Sequence, residues 1–169
     1  MNEREEQEFA EYFAAKRDSA RRTAYLLCGD WHRADDLAQT AFVALHRRWT
    51  KIRDRAATDA YLRKTLIRAS IDESRRPWRR EQHTDRLPEP EPVAGPLDER
   101  VATRADLLAA LKTVPPKQRA VLVLRYFEGL DVAGVAKVLG CSEGNVKSQT
   151  ARGLTRLREA IGEEVETGG

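Results

Sequence analysis

The chain predicts an all-α protein of two small helical domains joined by an extended, acidic, proline-rich linker. Three observations carry that expectation. Apolar residues recur at spacings of three and four along nearly the whole chain, and no segment alternates with the period of two that marks a half-buried strand. Four of the seven prolines crowd into RLPEPEPVAGP, a composition that cannot build a core and favours extended chain. Charge is also sorted along the sequence. Leu62–Gln82 holds seven Arg or Lys against three acids, whereas His83–Val101 holds two against five, a pattern that mere solubility does not require. The expected boundaries are 1–82 for the first domain, 83–101 for the linker, 102–162 for the second domain and 163–169 for a disordered tail.

The first domain reads as three helices. Glu8–Cys28 places Phe9, Phe13, Ala20, Ala24 and Leu27 inward and ends at Gly29. Asp30 is a natural N-cap for a helix from Trp31 to about Trp49, burying Ala34, Ala38, Ala41, Phe42, Leu45 and Trp49. A charged loop, Thr50–Ala57, follows. Thr58 can cap a third helix, Asp59–Arg76, with Tyr61, Leu62, Leu66, Ala69 and Ile71 on its inner side, and Pro77 stops it.

In the second domain a helix over Thr103–Thr113 precedes Val114-Pro115-Pro116, where Pro116 suits a first helical position. Lys117–Glu128 carries Val121, Leu122, Leu124 and Tyr126 among its apolar positions and ends at Gly129. Asp131 can cap a short helix that buries Val135, Ala136 and Leu139, although Gly134 inside it costs about 1 kcal/mol against a better helix former. Gly140-Cys141 makes a turn, and Ser142 caps the next helix. Short helix, glycine-containing turn and longer helix form a helix-turn-helix pattern.

That last helix has two unlike faces. Val146, Thr150, Leu154, Leu157 and Ile161 form one stripe. Asn145, Ser148, Gln149, Arg152 and Arg156 form the other, which contains no acid. In a helix-turn-helix the second helix enters the major groove. Asn145 and Gln149 are amides able to read adenine edges, Ser148 can bond several bases, and Lys147, Arg152 and Arg156 can reach phosphate or guanine. A polar, basic face can also be merely solvated; the turn and the preceding helix favour DNA.

Other chemistries find little support. No P-loop, GxSxG, HExxH or Cys/His grouping occurs, so neither catalysis nor a metal or cofactor is expected. Cys28 and Cys141 stand far apart and read as ordinary thiols of a reducing compartment. His32 and His46 lack partners at metal or triad spacing. No signal peptide and no apolar run near 20 residues is present, so a cytoplasmic protein without membrane insertion is expected.

The run LLAALKTVPPKQRAVLVLRYFEGLDVAGVAKVLGCSEGNVKSQTARGLTRLR resembles region 4 of a bacterial sigma factor. GDWHRADDLAQTAFVALHRRW resembles region 2, and AYLRKTLIRASIDESRR resembles the DNA-reading helix that follows it. The order of the blocks and the linker match the extracytoplasmic-function sigma factors, nearest to the actinobacterial sigma-E-like group. The resemblance implies a transcription initiation factor that binds core RNA polymerase (clamp helices and flap of the large subunits) and promoter DNA, with an anti-sigma factor as a further candidate partner. It implies −35 contacts by Ser142, Asn145, Lys147, Ser148, Gln149, Arg152 and Arg156. The chain departs from the family at Gln149, where Arg is common, at Asn145, where Thr is usual, and at Arg68, where Asn is usual.

For the −10 element the resemblance implies a loop that encloses a flipped base and a helix that contacts the strand. The candidates are Arg53, Arg55, Lys64, Arg68, Arg75, Arg76 and Trp78, a residue type and charge pattern suited to stacking bases and holding phosphates. Trp78 equally suits an apolar plug. Asp35, Asp36, Gln39, Val43 and His46 make an exposed row on the Trp31–Trp49 helix, suited to a basic helical partner. Asp35, Asp36, Gln39 and Phe42 are the implied core-polymerase contacts, with a helix-dipole role as the plainer reading of the two acids. The acidic linker is either a spacer or a segment threaded into a positive channel meant for RNA. Two other readings remain, a conventional helix-turn-helix transcriptional regulator and a sigma-like protein that acts through protein contacts alone. The acidic row beside a basic, aromatic-bearing loop and helix weighs against the first, and the basic charge of region 2 against the second.

Overall fold

The protein is described by a computed structural model over residues 1–75 and 99–168, with the backbone alone for 99–103 and 163–168. The described helices are α1 (Glu3–Cys28), α2 (Trp31–Arg48), α3 (Arg55–Ser74), α4 (Glu99–Lys112), α5 (Pro116–Leu122), α6 (Val132–Leu139) and α7 (Glu143–Gly168), and no strand occurs among the described residues.

Caps fix most of the helix starts. α1 begins five residues before the expected start at Glu8, because Asn2 and Glu5 form a reciprocal capping box: the Glu5 N–H donates to Asn2 Oδ1 at 2.8 Å. It ends at Gly29, whose N–H reaches Tyr25 O at 2.7 Å. Asp30 caps α2 by accepting from the His32 and Arg33 N–H groups. Every inward position expected on that helix is buried, from Ala34 to Trp49.

α3 differs from expectation. Its cap is Asp54, which accepts from the Ala56 N–H, and Thr58 lies inside the first turn. Thr58 is only 3% exposed and donates its hydroxyl to Asp54 O at 3.0 Å, so it packs where a cap would face water. The loop shortens to a 3₁₀ turn at Trp49–Lys51 followed by residues 52–54.

In the second half Pro116 opens α5. The helix then widens into a π turn over Val123–Phe127, with the Glu128 N–H donating to Val123 O at 3.0 Å. The wider turn shifts the phase of the apolar pattern. Leu124 is fully buried, while Tyr126, expected inward, is 55% exposed. Gly134, costly by propensity, has a local reason. Its N–H meets the capping carboxylate of Asp131 at 2.7 Å, and a Cβ there would stand 3.1 Å from that same oxygen. Gly140 turns the chain in the left-handed region (φ 67°), and Ser142 Oγ then accepts from the Asn145 N–H at 3.0 Å.

Two corrections concern the ends of the second domain. α4 begins at Glu99, within the last three residues assigned to the linker, whose remaining residues lie outside those described. The backbone of α7 stays helical to Gly168, where a disordered tail was expected from 163.

One contiguous apolar cluster runs through both halves, from Ala24, Leu45 and Ile67 to Val121, Val135 and Val146. α3 packs on α5 and α6, and α1 on α4 and α5, so the two halves lean on each other. Within the second half α7 crosses α5 closely at Gly153, where a Cβ would meet Leu122 side-chain carbons at 3.1 Å. Gly153→Ala is expected to lower stability by about 1 kcal/mol, since overpacking against a buried leucine outweighs the better helix propensity. Urea unfolding reads this directly, and a gain in stability would mean that Leu122 gives way.

Candidate nucleic-acid and partner interfaces

Three surfaces carry the candidate residues. The first is α7 as seated by α5 and α6. Val146 is fully buried and anchors one side, and Thr150 returns its hydroxyl to Val146 O at 2.7 Å. Asn145, Lys147, Ser148, Arg152 and Arg156 are exposed, and Gln149 is half-buried. Gln149 Nε2 donates to Asn145 Oδ1 at 3.4 Å, so the two amides stand as neighbours one turn apart. Among the described residues, Lys147, Arg152 and Arg156 form no ion pair. Their charge is therefore available to phosphate at little desolvation cost.

The second surface is the turn between α2 and α3. Trp49, Thr50, Ile52, Arg53, Asp54, Arg55 and Thr58 surround a cleft of about 510 Å³, within the range of roughly 300–1,000 Å³ typical of small-ligand clefts. Arg53 and Arg55 are exposed. Arg55 is helical rather than in the loop, and its guanidinium lies 5.4 Å from the Tyr12 ring centroid. Glu5 and Glu8 of α1 complete the rim, and Glu5 is helical there only because α1 starts early. Further along α3, Arg68 and Arg75 are exposed and Lys64 is half-buried, so the basic positions continue from the cleft to the end of the helix. Arg76 and Trp78 lie outside the described residues.

The third surface is a groove of about 550 Å³ between α1 and α2, with Phe9, Phe13 and Phe42 in its lining. Asp35, Asp36, Gln39, Val43 and His46 are exposed, as the row on α2 predicts. Asp35 is held by Arg21 at 2.5 Å. Phe42, expected inward and also implied as a core-polymerase contact, is 4% exposed and packs edge-on against Phe13, centroids 4.8 Å apart. The apolar atoms open to a partner belong instead to Val43 (44% exposed) and Phe13 (37%). Phe13 was expected inward; it lies at the outer lip of the groove, with its ring edge-on to Phe42. The repeat Phe9, Phe13, Arg17, Arg21, every fourth residue of α1, was the available signal for this second wall.

These surfaces are held in register by buried polar contacts. The Arg33 Nε donates to Glu73 Oε1 at 3.1 Å, both side chains being close to buried, and ties α2 to α3. The Tyr12 hydroxyl donates to Asp59 at 2.6 Å, and burial together with that carboxylate pushes its pKa well up. Cys28 is buried and its thiol is likewise pushed up by desolvation, while Cys141 is partly exposed. Among the described residues no group of three or more His, Cys, Asp or Glu is placed to hold a metal, and no helix is long and apolar enough to cross a membrane.

Comparison with known proteins finds two family models along the chain. Residues 13–80 match the family model "Sigma-70 region 2", and residues 104–157 match "Sigma-70, region 4". The RNA polymerase sigma-E factor of Streptomyces coelicolor is 39% identical over 91% of this chain and 86% of its own length. The ECF RNA polymerase sigma factor SigM of Mycobacterium tuberculosis is 34% identical over 76% of this chain and 64% of its own. Among solved structures, Bartonella quintana RpoE, crystallised with the anti-sigma factor NepR, shares the fold at TM-score 0.70 and 22% identity, covering 92% of this chain and 97% of that one. CnrH in complex with the cytosolic domain of CnrY gives 0.62 and 21%, covering 94% and 90%.

Proposed function

The chain belongs to the sigma-70 family of RNA polymerase sigma factors, and from that premise we propose how its surfaces divide the work of an extracytoplasmic-function type initiation factor. It binds core RNA polymerase and directs it to promoters. The observation that carries the residue-level reading is the exposed, acid-free face of α7, seated by a capped turn, in a chain that also presents a basic, cleft-bearing turn at the start of α3.

On this reading α7 lies in the major groove of the −35 element. Asn145 and Gln149 read base edges, Ser148 supports them, and Lys147, Arg152 and Arg156 hold phosphates. The Ser142 end of the helix brings free N–H groups toward the backbone. The cleft lined by Arg53 and Arg55 takes up an unstacked −10 base, and Arg68 and Arg75 along α3 hold the strand it came from. Lys64, Arg76 and Trp78 extend that track. The groove between α1 and α2 grips core polymerase through Asp36, Gln39 and Val43, with Asp35 oriented by Arg21. No step calls for a bond to be made by this chain, so it serves as a non-enzymatic factor in the cytoplasm, and an anti-sigma partner would act by covering one of these surfaces.

The test is run-off transcription. The protein with core polymerase gives specific transcripts from a promoter selected from genomic fragments, and core alone gives none. No transcript from any fragment, with tight binding of the protein alone to a palindromic site, would mean a conventional regulator instead. A finer measurement concerns Gln149→Ala. It is expected to weaken discrimination at one −35 base pair by about 1–3 kcal/mol while leaving other positions unchanged. A uniform loss across all sequences would reassign Gln149 to phosphate.

A further inference from the structure

The cleft at the turn between α2 and α3 has two unlike walls. The turn and the start of α3 supply the cations Arg53 and Arg55, and α1 supplies the carboxylates Glu5 and Glu8. A cleft for phosphate alone would gain nothing from acids at its rim, since a carboxylate repels the anion that the arginines attract. On the reading above, on which this inference rests, the cleft takes up an unstacked −10 base. What the acids meet is then the edge of that base.

These two acids are set apart from the others of α1. Glu3, Glu6 and Glu11 are exposed, whereas Glu5 and Glu8 are half-buried, three residues apart and so on one face of the helix. Each uses one oxygen locally. Glu5 Oε1 accepts from the Asn2 N–H at 3.4 Å, and Glu8 Oε1 accepts from Arg4 Nε at 3.3 Å. Among the described residues neither Oε2 accepts a hydrogen bond, and no ion pair joins Glu5 or Glu8 to Arg53 or Arg55. Opposite charges thus share a cleft of about 510 Å³ without closing it.

The floor fixes where the carboxylates stand. Trp49, 8% exposed, meets Phe9 edge-on at 5.3 Å and Tyr12 at a tilt, 5.5 Å between centroids. Phe9 follows Glu8 in the sequence, and Tyr12 lies one turn on. The Tyr12 hydroxyl donates to Asp59 Oδ1 of α3 at 2.6 Å, so α1 cannot slide past the cleft without breaking that bond.

An ionised carboxylate only accepts hydrogen bonds. Cytosine, adenine and guanine each carry an exocyclic amino group that it can receive, as Glu and Asp receive cytosine N4. Thymine carries none, and its single N3–H lies between two carbonyl oxygens that a pair of carboxylates would repel. The cleft has room for a purine or a pyrimidine, which leaves charge rather than size to choose. Arg53 and Arg55 draw the phosphates to their own wall and so turn the base edge toward α1.

We propose that Glu5 and Glu8 determine the base specificity of this cleft: they form an acceptor-only wall that receives the amino edge of the unstacked −10 base and rejects thymine, while Arg53 and Arg55 hold its phosphates.

The test is run-off transcription by core polymerase with the full chain, on a holoenzyme-selected promoter whose −10 positions each carry the four bases in turn. With the wild type, one position is expected to lose about tenfold when it becomes thymine and to vary less among the amino-bearing bases. The double variant Glu5→Gln, Glu8→Gln can donate to thymine O4 and should cut that loss to about threefold or less, at that position alone. Glutamine keeps the size of both side chains and completes the capping box at Asn2 as glutamate does, so the fold is retained. A thymine penalty that persists in the double variant overturns the acceptor wall, as does an equal loss at every position or a wild type that accepts thymine throughout. Arg53→Ala with Arg55→Ala should lower transcription for all four bases alike. An unchanged level there would remove the −10 strand from the cleft and the wall with it, whereas an intact arginine effect beside an unmoved thymine penalty removes the wall alone.

Discussion

Arg33→Ala is expected to lower the stability of the free protein by about 3–5 kcal/mol, because it leaves the Glu73 carboxylate in a nearly dry site without its principal cation. The two side chains are 11% and 13% exposed and the nitrogen–oxygen distance is 3.1 Å. Arg4→Ala, which removes an exposed i,i+4 pair with Glu8 (88% and 47% exposed), should cost well under 1 kcal/mol by the same measurement. Thermal unfolding separates the two, since each kcal/mol moves the midpoint of a chain this size by roughly 2–4 °C. Replacing both Arg33 and Glu73 by methionine and leucine should recover most of the loss, because it removes the buried charge along with its partner. A loss below about 1 kcal/mol for Arg33→Ala would mean that solvent reaches the pair and that other contacts set the angle between α2 and α3. That angle matters for the proposed function, which puts core binding in the groove between α1 and α2 and the −10 base in the cleft at the start of α3.

This ion pair was invisible in the sequence for a simple reason. Its members are 40 residues apart, and nothing in the periodicity of either helix distinguishes a charge that turns inward. What depends on local chemistry was legible. Asp30, Asp131 and Ser142 cap the helices they were expected to cap, and Gly29 and Gly140 end theirs in the left-handed region. The inner face of α2 was legible for the same reason: six residues at helical spacing bury as one stripe. Where two local signals compete, tertiary structure decided. Asp54 and Thr58 are both good caps, and α3 starts at the earlier one because Thr58 is needed in the core. The capping box at Asn2 and Glu5 was present in the letters too, but it begins a turn of helix with no apolar residue to announce it.

The candidate sites divide along the same line. The outward face of α7 follows from its own sequence, and the structure leaves those side chains exposed with only Gln149 half-buried. The groove between α1 and α2 needs two helices, so Phe13 could be placed only as an apolar position of α1, and periodicity put it inward. The π turn after α5 is a further case, since one extra residue per turn rotates Tyr126 to the surface without any change in the pattern of residue types. The contact of the two halves depends on single side chains reaching across, Arg119 to a carbonyl and Glu128 to Thr23, and no spacing rule reports such pairs.

Phe42→Ala should cost about 3–5 kcal/mol of stability, the toll of emptying a buried aromatic site, and should reduce transcription mainly by unfolding the protein. The ring is 4% exposed and closes the aromatic wall with Phe13, so little of it can meet polymerase directly. Val43→Asp makes the opposite case. Its side chain is 44% exposed at the lip of the groove, so stability should change by no more than about 0.5 kcal/mol. Binding to core polymerase should nevertheless fall by at least tenfold, because a carboxylate would have to be desolvated where an apolar contact is made. Temperature tells them apart. Transcription by Phe42→Ala should recover on cooling from 37 °C toward 15 °C as the folded fraction returns, whereas Val43→Asp stays defective at both. A Phe42→Ala protein that unfolds like the wild type yet fails to bind core would return Phe42 to the docking surface and take Val43 from it.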